Sequence, residues 1–152
     1  GLRAEIASRQ HRHRCEVLLL ERAKADLPQA TALGVAEGTA IFHSLMVHFE
    51  NEMPVQIEDR CVNAAVAPDY LLQDYTVTTP HAYLSQVAPL TEGEHIVEAV
   101  QATPEESRLL QLQPTEPCLL IRRRTWSTSH IVSHARLLFP GSRYRLQGHF
   151  SS

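Results

Sequence analysis

The sequence predicts an α+β domain, an antiparallel sheet with helices packed on one side, and three observations carry that prediction. Strand-like runs Ala40–Phe49 and Met53–Asn63 are separated only by Glu50-Asn51-Glu52, too short a link for anything but an antiparallel hairpin. A second pair, Cys118–Trp126 and Ile131–Phe139, turns across Ser127-Thr128-Ser129 in the same way. Between the pairs lie short segments that open with helix caps, the pattern of helices inserted into an antiparallel sheet.

Taken in order, Arg3–Gln10 has helix-compatible composition, and Cys15–Lys24 reads as a first strand. Asp26 is placed to cap a short helix, Pro28 fits its first turn, and Gly34 supplies the left-handed residue that closes it. After the first hairpin, Pro68–Gln73 suggests a short helix. Thr79-Pro80 is a cap followed by proline at the first helical position, leading into Ala82-Tyr83-Leu84. His95–Ala102 is a strand candidate. Thr103-Pro104-Glu105-Glu106 is a capping box, in which hydroxyl and carboxylate satisfy each other's backbone donors, and the helix it opens must stop before Pro114. After the second hairpin, Tyr144–Phe150 reads as a last strand, for about seven in all. No repeat, linker or low-complexity tract divides residues 1–152, so one domain is expected.

Composition excludes several classes. Hydrophobic residues make up 43% and charged residues 20% of 152, ordinary for a soluble globular chain, and no apolar run approaches the roughly 20 residues that cross a bilayer. A net charge of −3 offers no basic field for gripping nucleic acid. Cys15, Cys61 and Cys118 are odd in number and set in apolar strands, as buried free thiols in a reducing, cytoplasmic compartment would be. The chain starts Gly1-Leu2-Arg3 without a methionine, as an excised fragment would. Nine histidines include the close pairs His11/His13 and His130/His134, but neither has the face or the neighbouring ligands of a metal site. No phosphate loop, nucleophile elbow or C-x-x-C motif occurs.

The chemistry is concentrated in the first hairpin. Alternation groups Ser44, Met46 and His48 on one face of its first strand, and Gln56, Glu58, Arg60 and Val62 on one face of its second. Sharing a face, these residues would form the donor-and-acceptor lining of a small-molecule pocket. A solvated face with cross-strand ion pairs worth about 0.2–1 kcal/mol is the alternative. In Arg122-Arg123-Arg124 the outer two share a face, and Arg124, beside Thr125 and Trp126, is expected to meet an anion. For Glu58 to act as a general acid or base it would need burial away from Arg60 and Arg124.

Gln56-Ile57-Glu58-Asp59-Arg60 with Val62-Asn63, Thr79-Pro80-His81-Ala82-Tyr83-Leu84, Ile121-Arg122-Arg123-Arg124-Thr125 and the stretch from Ala135 to Leu146 together resemble the UTRA domain, the effector-binding half of GntR-superfamily transcription regulators. His43-Ser44 and Val47-His48-Phe49-Glu50-Asn51 are similar to the histidine-utilisation repressor branch. The resemblance covers nearly the whole chain, and the order of its motifs carries it. It implies a chorismate-lyase-like fold, a homodimer, and a winged helix-turn-helix head absent from this chain, through which alone DNA is contacted. It implies no cofactor, no metal, no catalytic residue and no membrane partner.

The implied pocket is lined by the start of the first helix, with Arg3, by His48, Glu58, Thr79 and His81, and by the late positions Ser133 and Phe139. This chain departs from sugar-phosphate-binding members at Met46 and His48, where those carry arginines, and at Ser133, where they are acidic. Fewer cations count against a phosphorylated sugar. The implied effector is urocanate, or histidine itself. Glu58 and Thr79 would serve its ring, Arg124 or Arg3 its carboxylate, and Tyr83 and Phe139 would sandwich its plane. Each role has a structural alternative: core aromatics for Tyr83 and Phe139, a solvated Arg3, an ion-paired Arg124 and a surface His81. An enzyme of the same fold acting on a small unsaturated carboxylate, or a purely structural dimerisation module, are the rival readings.

Overall fold

The computed structural model describes all of residues 1–152. Strand β2, Ala40–Glu50, turns into β3, Met53–Asn63, through Asn51 and Glu52, both at positive φ (47° and 66°). Two successive residues of positive φ match a type I′ turn, whose twist suits antiparallel strands. One register shift follows, between His48 and Phe49. The other strands are β1, His13–Lys24, β4, Glu92–Gln101, β5, Pro117–Ser127, and β6, His130–Pro140. They form one antiparallel sheet in the order β1-β2-β3-β6-β5-β4.

Helix starts follow the sequence. In α2, Leu27–Leu33, Asp26 and Gln29 form a reciprocal capping box, and Gly34 closes the helix at φ 64°. The α3 helix, Pro80–Val87, is capped by the Thr79 hydroxyl on the Ala82 amide. Thr103 and Glu106 form the box that opens α4, Pro104–Leu110, which ends at Gln111 in the left-handed region. The first helix, α1, spans Leu2–Ser8, and the expected helix at Pro68–Gln73 contracts to a single 3₁₀ turn, Tyr70–Leu72.

The α+β antiparallel architecture holds, but the helices cover both faces rather than one. Tyr70, Tyr83 and Leu84 pack on Phe42, Met46 and Val62. On the opposite face, Leu110 packs with Val47, Ile57 and Leu138, and Ala30 and Leu33 pack with Ile41 and Cys61. The reason lies in β2 and β3, where neighbours on opposite faces, such as Met46 (0% exposed) and Val47 (1%), are both dry. A strand buried on both sides needs cover on both.

The expected strand at Tyr144–Phe150 does not form, leaving six. Arg143 donates to the carbonyls of Pro54 (2.8 Å), Leu110 (2.5 Å) and Gln111 (2.7 Å), so the chain is tied to the far end of α4 before it could pair with a sheet edge. Tyr144 stacks on Phe139, ring centroids 3.7 Å apart, and no strand follows.

Gly141 follows β6 at a close backbone crossing. Its amide donates to the Pro117 carbonyl at 2.9 Å, and a Cβ there would lie 2.6 Å from that oxygen. Gly141→Ala must therefore move backbone, and an expected loss of about 1–3 kcal/mol is checked by the midpoint of urea unfolding.

Candidate functional site

The pairs Ser44↔Arg60, Met46↔Glu58 and His48↔Gln56 lie opposite one another in the β2–β3 ladder, so the pleat sends all six side chains to one face. All six are buried, Glu58 at 5% and Arg60 at 4% exposed. A solvated face is thereby ruled out. Above this floor, α1 and the start of α3 enclose a cavity of about 430 Å³ lined by Arg3, His48, Gln56, Glu58, Arg60, Thr79, His81 and Arg123, with Leu2, Ala4, Ala7, Ala82 and Leu137 as apolar wall.

Burying a carboxylate and a guanidinium is costly unless every polar atom finds a partner. Glu58 Oε1 accepts from His48 Nε2 at 2.9 Å, and Oε2 accepts from Arg60 Nε at 2.9 Å. Arg60 Nη1 donates to Ser133 Oγ at 3.0 Å, which lies 3.0 Å from Thr125 Oγ1. On the other side, His48 Nδ1 is 2.9 Å from His13 Nε2. The chain of contacts runs from β1 across β2, β3 and β6 to β5. Burial on its own would raise the Glu58 carboxyl; the Arg60 charge and the His48 bond overrule it and hold the group at about 2. Burial, then the charges of His48 and Arg3, push His13 down to about 4. Glu58 therefore carries no proton near neutrality and His48 Nε2 donates to it.

Of the residues expected from sequence, Arg3, His48, Glu58, Thr79 and His81 line the cavity. Arg3 also donates to the Val77 carbonyl, tying α1 to the loop before α3. Met46 and Ser133, both fully buried, lie in the sheet beneath, Ser133 holding Arg60 in place. Three residues lie elsewhere. Tyr83 packs in the tyrosine cluster with Tyr70, centroids 6.3 Å apart, and Phe139 is stacked under Tyr144; both take the core-aromatic alternative.

Arg124 is on the opposite face. It stands opposite His134 and Glu94 in the ladders, with its Nε 3.9 Å from Glu94 and its guanidinium 5.7 Å from the Trp126 ring centre. Its neighbour Arg123 reaches the cavity instead. The split of the three arginines between faces is as expected, and the face assigned to the cavity is reversed.

Sequence reasoning placed Gln56 and Arg60 on the polar face but did not count them among the site residues, and it missed Arg123. Cross-strand register would have found it: Arg60 pairs with Ala135, and Ala135 pairs with Arg123, so the two arginines share a face two strands apart. Arg123 Nε donates to His95 Nε2 at 2.8 Å, and burial, then the Arg60 charge, lowers its proton affinity from the usual guanidinium range. Three guanidiniums, Arg3, Arg60 and Arg123, thus face one carboxylate, Glu58. The charge lining the cavity is therefore net positive. No group of three or more His, Cys, Asp or Glu side chains is gathered to hold a metal ion, and no helix is long and apolar enough to cross a membrane.

A carboxyl held at about 2 when folded and near 4.5 when free stabilises the fold fully above the free value, and the gain is lost as pH falls from about 4.5 toward 2. The gap corresponds to on the order of 3 kcal/mol. Glu58→Gln is expected to be less stable than the parent by that order at pH 7, and the difference should shrink below about pH 4.5 and close only as the pH falls to about 2. Urea unfolding at stepped pH checks both the sign and the window.

The UTRA domain model matches residues 8–145. The chain is 78% identical, over all of its 152 residues, to the histidine utilization repressor of Klebsiella aerogenes, covering 63% of that protein, and 66% identical over 148 residues to that of Pseudomonas aeruginosa, covering 59%. It thus spans about three fifths of the curated relatives it matches. The crystal structure of the C-terminal domain of the histidine utilization repressor from Pseudomonas syringae pv. tomato superposes with a TM-score of 0.89 at 62% identity, covering 93% of this chain and all of that one. The effector domain of PhnF from Mycobacterium smegmatis shares the fold, with a TM-score of 0.90 at 15% identity over 100% of this chain and 95% of that one. The chain therefore belongs to the UTRA domain family, on the branch that carries the histidine utilization repressors.

Proposed function

We propose that this domain senses a small planar carboxylate, urocanate above all and histidine second, for a transcriptional repressor that releases operator DNA when the effector binds. The observation that carries this reading is the cavity's charge: three guanidiniums against one carboxylate, in a space bounded by dry sheet. An anion of modest size completes that balance. An imidazole joined to an acrylate offers ring nitrogens for Gln56, Thr79 and the His48–Glu58 end, and a carboxylate for the arginines.

The domain binds rather than turns over its ligand. A carboxyl held at about 2 is a poor base near neutrality, and both ring nitrogens of His48 are engaged by protein partners. Regulation would then follow from differential affinity. The effector favours one arrangement of a homodimer, and DNA occupancy through an amino-terminal head falls as far as that difference allows. The names of the relatives support the repressor half of this reading; the charge of the cavity supports the effector half.

Thermal melts with urocanate, histidine and related imidazoles test it. A ligand at 100 times its dissociation constant should stabilise the domain by about 2.7 kcal/mol, with urocanate giving the largest rise. Unchanged melting with all of them, at millimolar concentration, would remove the sensor reading.

A further inference from the structure

We infer that Arg123, with Arg60, forms the carboxylate-binding subsite of the cavity, and that His95 on the edge strand is the residue that positions Arg123. The inference rests on the effector reading above and assigns its anionic end to particular atoms.

The arginines of β5 differ in what they meet. Arg122 has Glu98 at 2.7 Å and Arg124 has Glu94 at 3.9 Å, both on the face away from the cavity. Arg123, half-buried between them and pointing the other way, has no protein carboxylate; its one side-chain bond is from Nε to neutral acceptor His95 Nε2, 2.8 Å. A half-buried guanidinium supplied with a ring nitrogen in place of a counter-charge is a cation held ready for one. Because Nε is taken, the two terminal nitrogens remain, and they are the parallel pair that grips a carboxylate in bidentate fashion.

Arg60 offers the second contact. Its Nε serves Glu58 and its Nη1 serves Ser133, which leaves Nη2. Between Arg60 and Arg123 in the ladder stands only Ala135, fully buried, with a methyl for a side chain. The two strand steps separate the arginine backbones by about 10 Å, and both side chains line the one cavity, so a carboxylate held in it can bridge their tips. Glu58 does not compete for that position, because both of its oxygens are already bonded to His48 and Arg60.

His95 can accept from Arg123 only through an unprotonated Nε2. Burial, then the Arg123 charge, lowers its proton affinity below the usual imidazole value, which keeps the acceptor available. It sits on β4, whose residues are exposed from Glu92 through Ala99, so the anchor for the anion is braced from the rim of the sheet.

Calorimetric titration of the domain with urocanate and with its uncharged amide separates this subsite from a general structural role. The parent is expected to prefer the acid by about tenfold or more. Arg123→Gln should abolish that preference while changing amide affinity by less than about threefold. His95→Phe should weaken the acid by about fivefold or more, and His95→Gln, whose amide oxygen can still accept from Nε, should restore most of it. An Arg123→Gln variant that keeps the preference, or that loses both ligands equally while melting as the parent does, overturns the assignment. A parent that binds neither compound overturns the effector reading, and this inference with it; binding of acid and amide with equal strength overturns the subsite alone.

Discussion

A carboxylate and a guanidinium two residues apart on one strand point to the same side of a sheet by the pleat alone, and in β3 that side is dry. Glu58 and Arg60 therefore enter the interior together, and the rest of the site is arranged around making that tolerable. The pair's mutual attraction offsets desolvation only when the remaining lone pairs and protons are bonded as well. Here His48 takes one Glu58 oxygen, His13 backs His48, Ser133 takes an Arg60 nitrogen, and Thr125 backs Ser133. Each partner comes from a different strand. Satisfying one ion pair thus fixes the relative positions of side chains on five of the six strands, and a floor of that stiffness holds its polar groups at set distances.

The same pair sets the cavity's charge. With the Glu58 charge matched by that of Arg60, the excess positive charge left to the ligand is that of Arg123 and Arg3, one braced by a neutral ring and the other by a backbone carbonyl. Neither brace carries negative charge, so the field in the cavity remains positive. Had a protein carboxylate stood beside Arg123, as Glu98 does beside Arg122, an anionic guest would have had to displace it.

Much of this was legible in the sequence wherever local rules decide. The caps at Asp26, Thr79 and Thr103, the closing glycine at 34 and both hairpins depend on neighbours in the chain, and each forms as its motif dictates. The polar face of the first hairpin was also readable, because alternation in β2 and β3 needs only a parity. What parity lacks is an absolute reference for a distant strand. Arg122, Arg123 and Arg124 divide correctly between two faces, but which face meets the cavity depends on the β3–β6–β5 registers, and a shift of one residue exchanges them. Tyr83 and Phe139 fail for another reason: an aromatic facing a ligand and one facing its own core have the same local sequence, and only packing separates them. The supposed strand after Tyr144 failed because Arg143 makes three long-range bonds that no local pattern announces.

Apolar clusters flank the polar floor on its own face and back it on the other, and this explains how so polar a floor is sustained. The face away from the cavity buries Val47, Ile57, Leu110 and Leu138 in one cluster and Ile41 and Leu33 in another, and beside the cavity on its own face Phe42, Met46, Val62, Tyr70, Tyr83 and Leu84 form a third, each large side chain contributing roughly 1.5–3 kcal/mol. The polar floor contributes little by comparison, since a buried ion pair is often close to neutral against a well-packed apolar replacement. Removing one partner is a different matter, because it strands the other. The apolar clusters on both faces therefore supply the stability, while in the polar floor between them Glu58 and Arg60 are mutually dependent and Arg123, tied to the fold through one neutral bond, is left comparatively free to answer to the ligand.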